Sequence, residues 1–146
     1  GYPQYEISNF ARPGYESRHN QTYWRADSYF GFGPGAASYL RGIRRTNHRS
    51  VTTWIRRTLA GEDTVMDREE LGPESRAREA VMLGLRECCG LSLEKFARRF
   101  GFQLSQLAGP AYLRMVRDGL LEEIEGACRL TRTGRCLADS VICEFM

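Results

Sequence analysis

The sequence predicts a mixed α/β chain: short strands and glycine-rich turns come first, and a mostly α, winged-helix-like domain follows. Composition shifts near residue 61, from a glycine-, proline- and aromatic-rich part to a helix-forming part. From Pro73 onward apolar residues recur at helical spacing between capping residues and glycines. Later, Glu125-Gly126 stands between two short apolar stretches, a hairpin signal.

Tyr5, Ile7 and then Phe10 and Ala11 read as a short strand, and residues 28–32 as a second. The run Gly31-Phe32-Gly33-Pro34-Gly35-Ala36-Ala37-Ser38 follows. Its small residues would let backbone amides approach a ligand, or simply build a tight turn. It is not a dinucleotide fingerprint, because Ala36 breaks the G-x-G-x-x-G pattern. Ser50 opens a helix with Val51, Trp54, Ile55 and Leu59 at helical spacing and Gly61 as its stop, and residues 61–72 read as an acidic connector.

Pro73 fits a first helical position, and Ala77, Ala80, Val81, Gly84, Leu85 and Cys88 share one face until Gly90. Ser92 caps a short helix, with Leu91 and Phe96 as a hydrophobic staple and Gly101 as its end. A third helix starts at Leu104, breaks at Gly109-Pro110 and restarts with Tyr112, Leu113, Val116 and Leu120 facing inward. Residues 120–124 and 127–130 form the hairpin, and Thr131 caps a last helix carrying Leu137, Ala138, Val141, Ile142 and Phe145 on one side. Three helices, a hairpin and a closing helix are the order of a winged-helix domain.

With 146 residues, 42% hydrophobic and 27% charged, the chain suits one globular domain or two small ones. It is too short for a complete (β/α) barrel of about 250 residues, and no apolar run reaches the roughly 20 residues a membrane span needs. The odd set of five cysteines, two adjacent, and the lack of a secretory signal predict a reducing cytoplasm. A first residue other than methionine predicts that something upstream has been removed. Of 21 basic side chains, Lys95 is the one lysine and the other 20 are arginine, within a net charge of +3. Codon bias accounts for that, as does recognition of carboxylate or phosphate by the guanidinium fork.

The densest unusual cluster is His19-Asn20-Gln21-Thr22-Tyr23-Trp24, flanked by Arg12 and Arg25. An imidazole can ligate iron, aromatic rings can cover a macrocycle and arginines can pair with propionates, so the set suits a haem. Alternatively, His19 and Asn20 satisfy backbone groups in a loop while Tyr23 and Trp24 pack beneath a sheet. Cys88, Cys89, Cys128, Cys136 and Cys143 lack the C-x2-C spacing of metal sites and are expected to be free or buried thiols. No G-x-S-x-G, H-E-x-x-H or phosphate-loop motif occurs, and Glu122, Glu123 and Glu125 read as a solvated edge. A nucleic-acid-binding winged helix is a further reading. Its groove helix, residues 110–118, would offer only Arg114 and Arg117, and an acidic wing would repel phosphate, so no nucleic-acid partner is expected.

Taken together, Tyr5-Glu6-Ile7-Ser8-Asn9-Phe10-Ala11, Arg12-Pro13-Gly14, His19-Asn20-x-x-Tyr23-Trp24 and Gly31-x-Gly33-x-Gly35-Ala36-x-Ser38 follow the order and spacing of one family. Leu83-Gly84-Leu85-Arg86, Gly90-Leu91, Phe96, Phe100-Gly101, Gly119-Leu120-Leu121, Leu130-Thr131 and Gly134 continue the agreement. The chain resembles the C-terminal part of the HemW-type haem chaperones, radical S-adenosylmethionine proteins related to oxygen-independent coproporphyrinogen III oxidase. The resemblance implies three regions. Residues 1–45 would be the last strands of an incomplete (β/α) radical S-adenosylmethionine barrel, 46–72 a helix and connector, and 73–146 the winged-helix-like C-terminal domain.

The resemblance also implies cofactors and partners. His19 is the implied haem-iron ligand or haem contact, with Asn20, Tyr23 and Trp24 shaping that site. Ala37 stands where the backbone touches S-adenosylmethionine in the related oxidases, although many relatives have histidine there. The full-length protein would hold haem, a 4Fe-4S cluster and S-adenosylmethionine and pass haem to an acceptor protein. The cluster's C-x3-C-x2-C loop is absent from this chain, which is therefore not expected to be catalytic alone. Decarboxylation of coproporphyrinogen III, in porphyrin biosynthesis, is the enzymatic alternative.

Overall fold

Ser17 starts the first helix, α1 (Arg18–Trp24), its side chain accepting from the Asn20 backbone N–H at 3.3 Å. No residue of α1 is buried, so no apolar periodicity announces it in the sequence. The computed structural model describes residues 1–145. Two compact units result: one joins Gly1–Ala26 to the chain from Pro73 onward, and the other is Asp27–Gly72.

The second unit contains β1 (Ala37–Leu40), β2 (Ile43–Asn47), α2 (Val51–Leu59) and β3 (Val65–Glu70). Its sheet has the order β1-β2-β3 and is antiparallel throughout. Ser50 caps α2 by accepting from the Thr53 N–H at 3.3 Å, as the sequence predicts. The acidic connector, by contrast, contains a strand. Beyond Val65 every residue of β3 is exposed, so pairing with β2, including an Arg44–Glu69 ion pair across it, makes the strand where burial does not. The strand expected at 28–32 shrinks to one bridge between Tyr29 and Tyr39. Among hydrophobic side chains of this unit only Tyr39 is buried, so hydrogen bonding carries more of its cohesion than a core does.

In the first unit, the stretch expected as a strand at 5–11 curls on itself. Tyr5 N–H donates to Asn9 at 3.2 Å and Ala11 N–H to Pro3 at 3.1 Å, leaving single bridges Gln4–Phe10 and Glu6–Glu87. The Glu6–Glu87 bridge explains why α3 (Pro73–Gly84) stops short of Gly90. Residues 86–88 spend their main-chain groups on this segment, with Ile7 N–H to Arg86 at 3.1 Å and Cys88 N–H to Tyr5 at 2.9 Å.

Next come β4 (Leu91–Ser92), α4 (Leu93–Phe100), α5 (Leu104–Arg117), β5 (Leu121–Ile124), β6 (Ala127–Leu130), α6 (Arg132–Cys136) and α7 (Ala138–Cys143). Ser92 and Thr131 cap α4 and α6 as predicted, accepting from Lys95 and Gly134 N–H groups. Glu125 and Gly126 both take positive φ, 52° and 75°, the mirror-type turn whose twist matches a hairpin. The two-residue β4, too short to leave a sequence pattern, pairs with β6 to give a three-stranded sheet of order β4-β6-β5. Gly109 breaks α5 at φ 52°, ψ −132°, and the restart shifts the helical phase. Tyr112 and Met115 therefore face the core, while Leu113 is 67% exposed and Val116 is exposed too. The last helix is likewise two, parted at a non-helical, exposed Leu137.

Ala77, Val81, Leu85, Phe96, Leu121, Val141 and Phe145 form the centre of this unit's core. Each large side chain buried there stabilises it by about 1.5–3 kcal/mol. Cys128 lies within the core, and Cys89, Cys136 and Cys143 are exposed free thiols.

Candidate functional site

The His19-Asn20-x-x-Tyr23-Trp24 segment is α1, a helix and not the loop that one reading of it required. Helical spacing of four stacks its side chains in two rows. In one row His19 and Tyr23 meet edge to face with centroids 4.8 Å apart, His19 exposed and Tyr23 half-buried. In the other, half-buried Asn20 and Trp24 follow one another, and the Arg86 guanidinium lies 5.5 Å from the Trp24 ring. Trp24 keeps a buried indole Nε1–H with no acceptor among the described residues.

Among the described residues, an ion pair and two side-chain bonds from Arg99 hold α1 at its C-terminal end. Arg25 donates from Nε to both Glu87 oxygens at 3.2 Å and from Nη2 to Oε1 at 3.0 Å. Arg99 donates to the backbone oxygen of Arg25 at 2.8 Å and also to that of Ala26. Glu87 is only 5% exposed, and it faces Glu6, 1% exposed, across the bridge. The Glu6 carboxylate accepts from the Ser8 N–H at 3.1 Å. Beside this cluster the Cys89 thiol is raised above its ordinary range, first by desolvation and then by the Glu87 charge, with Arg25 opposing.

Several of these residues escape sequence reasoning. Arg25 reads as a partner for ligand carboxylates, yet it is engaged by an internal one. Glu6 and Glu87 are 81 positions apart, and only the Glu6–Glu87 bridge brings them together. Two acidic residues inside otherwise apolar stretches were the available signal.

Ala37 opens β1 in the other compact unit, opposite Thr46. The Gly31 N–H donates to Ser38 Oγ at 2.9 Å, holding the glycine-rich run close to β1. In the region read for nucleic acid, Arg114 pairs with Glu144 and Arg129 with Glu122. No helix among the described residues is long and apolar enough to cross a membrane.

The model of the HemN C-terminal domain family matches residues 71–137. A protein described as "Heme chaperone HemW" from Bacillus subtilis is 38% identical over 146 residues, all of this chain and 38% of that protein. Its counterpart from Lactococcus lactis is 35% identical over the same span. The chain is HemW-like along its whole length and carries a HemN-type C-terminal domain. A Bos taurus relative, "Radical S-adenosyl methionine domain-containing protein 1, mitochondrial", is 61% identical over 158 residues, covering all of this chain and 36% of that protein. Among solved structures, coproporphyrinogen III oxidase (HemN) from Escherichia coli superposes with a TM-score of 0.74 at 17% identity, over 99% of this chain and 37% of that one. The chain therefore has the fold of the corresponding part of that enzyme, and it spans under two fifths of the length of these relatives.

The exposed His19 imidazole, with an aromatic edge beside it, is a donor that suits haem iron. A 4Fe-4S cluster does not fit these residues: no three His, Cys, Asp or Glu side chains among the described residues gather as a metal site.

Proposed function

We propose that this chain carries the haem-contacting part of a haem chaperone, with His19 as the iron ligand or haem contact and Asn20, Tyr23 and Trp24 shaping the site. The carrying observation is the placement of His19 on a short helix, its ring exposed and edge-on to Tyr23. Haem is the cargo here, handed to an acceptor protein. The chain's own residues present the imidazole, supply an aromatic wall and fix both to a folded unit. Haem titration followed through the Soret band, on wild type and His19→Ala, tests this reading. Loss or displacement of the band in the variant is expected, and identical spectra overturn the ligand assignment.

In the same reading the full-length protein binds a 4Fe-4S cluster and S-adenosylmethionine, the latter touching the backbone at Ala37. Residues 1–45 are the end of a partial radical S-adenosylmethionine barrel, 46–72 a helix and connector, and 73–146 a winged-helix-like domain. The helix, two-residue strand, two helices and hairpin from Pro73 to Leu130 support the winged-helix assignment.

A second reading, coproporphyrinogen III decarboxylation, is favoured by the fold shared with the Escherichia coli oxidase. Anaerobic product analysis on the intact protein separates the two. The thiol usage supports a reducing compartment, the cytoplasm. The mitochondrial description of the Bos taurus relative favours a mitochondrial location, and cell fractionation decides.

A further inference from the structure

We propose that the Glu87–Arg25 pair is a positioning clasp that fixes the pose of α1 and so sets the direction in which His19 meets its ligand, an inference that rests on the haem-binding reading above. With seven residues, α1 is too short to hold itself in water, and none of its residues is fully buried. Its pose must come from its attachments, and these cluster at one end. Arg25 is the C-cap of α1, so fixing its guanidinium fixes the end of the helix.

The form of the attachment matters as much as its place. A carboxylate that is 5% exposed is rare unless paired, and removing its partner leaves a buried charge. Three donor contacts from one planar fork set orientation as well as distance. An apolar contact would hold α1 without fixing its angle. Glu87 is itself a firm anchor, because main-chain bonds on either side of it tie residues 86 and 88 to 7 and 5. Arg99, binding the carbonyls of Arg25 and Ala26, closes the same end from another helix, α4.

His19 lies six residues from Arg25, about 9 Å along a helix axis at 1.5 Å per residue. If the clasp loosens by a tilt of about 20°, His19 swings by about 3 Å, well beyond the ~0.5 Å tolerance of a functional constellation. Glu87 and Arg25 thus act through His19 and need not touch the ligand.

The test uses the intact protein with two variants, Glu87→Gln and Arg25→Lys, the second keeping the charge and losing the fork. Amide hydrogen exchange over residues 18–26 without haem reads the pose, and titration with ferric haem reads the consequence. Faster exchange confined to that segment is expected in both variants. Haem should bind roughly tenfold more weakly, as when a group orienting a metal ligand is removed, with a displaced Soret band and an unchanged far-ultraviolet spectrum. Unchanged exchange overturns the clasp. Faster exchange with unaltered haem affinity and spectrum overturns its role toward His19. Should the wild type take up no ferric haem, the haem reading fails, and the exchange comparison still decides whether the clasp fixes α1.

Discussion

Gly31 is the position at which a single added methyl should do most harm to the smaller unit. A Cβ there would lie 2.1 Å from the carbonyl oxygen of Ala37 and 2.6 Å from its carbonyl carbon, both backbone atoms. Ordinary carbon–oxygen contacts begin near ~3.3 Å, so the segment must move about 1 Å away from β1. That movement strains the 2.9 Å bond from Gly31 N–H to Ser38 Oγ and the paired 2.9 Å bonds between Tyr29 and Tyr39. Overpacking costs about 1–3 kcal/mol and each weakened bond up to about 1 kcal/mol, so Gly31→Ala should destabilise this unit by roughly 3 kcal/mol. Gly33 is the internal control: nothing lies within 4 Å of its Cβ, but φ is +99°. Gly33→Ala should cost only the backbone strain, about 1–2 kcal/mol. Hydrogen exchange at the Tyr39 amide, which bonds to Tyr29, reports the opening of this region. It should accelerate roughly a hundredfold in Gly31→Ala and about tenfold in Gly33→Ala. An equal or smaller effect in Gly31→Ala would refute the steric argument.

Along α5, Met115→Ala should cost about 2–5 kcal/mol in urea unfolding, and Leu113→Ala, 67% exposed, within about 0.5 kcal/mol. The reverse order would mean that the phase shift at Gly109 is wrong. Alkaline stability should also fall. Burial, followed by the Glu123 charge, pushes the Cys128 thiol from 9.0 up to about 12. Above pH ~9 the unfolded thiol releases its proton while the folded one keeps it, so the unfolded state binds fewer protons. Stability then declines up to pH ~12, by at most about 1.4 kcal/mol per pH unit from this group. Tyr112, raised by burial and by its bond to Glu123, adds a slope of the same sign. Melting temperature against pH should show the decline, and Cys128→Ala should flatten it; an equally steep slope in that variant rejects the assignment.

Arginine usage shows where residue content stops being informative. Arg25, Arg44, Arg78, Arg86, Arg114 and Arg129 each pair with a carboxylate of this chain, so much of the excess serves internal contacts. A fork suits an internal and an external carboxylate equally, and the distinction depends on what folding brings within 4 Å. The same limit applies to strands. β3 has no buried alternation and β4 only two residues, so neither leaves a periodic trace.

By itself the sequence determined what depends on neighbouring residues: the caps at Ser50, Ser92 and Thr131, the turn at Glu125-Gly126, the break at Gly109-Pro110 and the motif that places the chain in its family. Such features rest on spacings of three or four positions, where backbone geometry leaves few alternatives. Only the tertiary structure decided that His19-Asn20-x-x-Tyr23-Trp24 is a helix anchored at one end, that Glu6 meets Glu87, and that residues 1–26 join the unit beginning at Pro73. Those outcomes depend on groups tens of residues apart finding each other. A buried carboxylate accepts only the partner that the fold delivers to it.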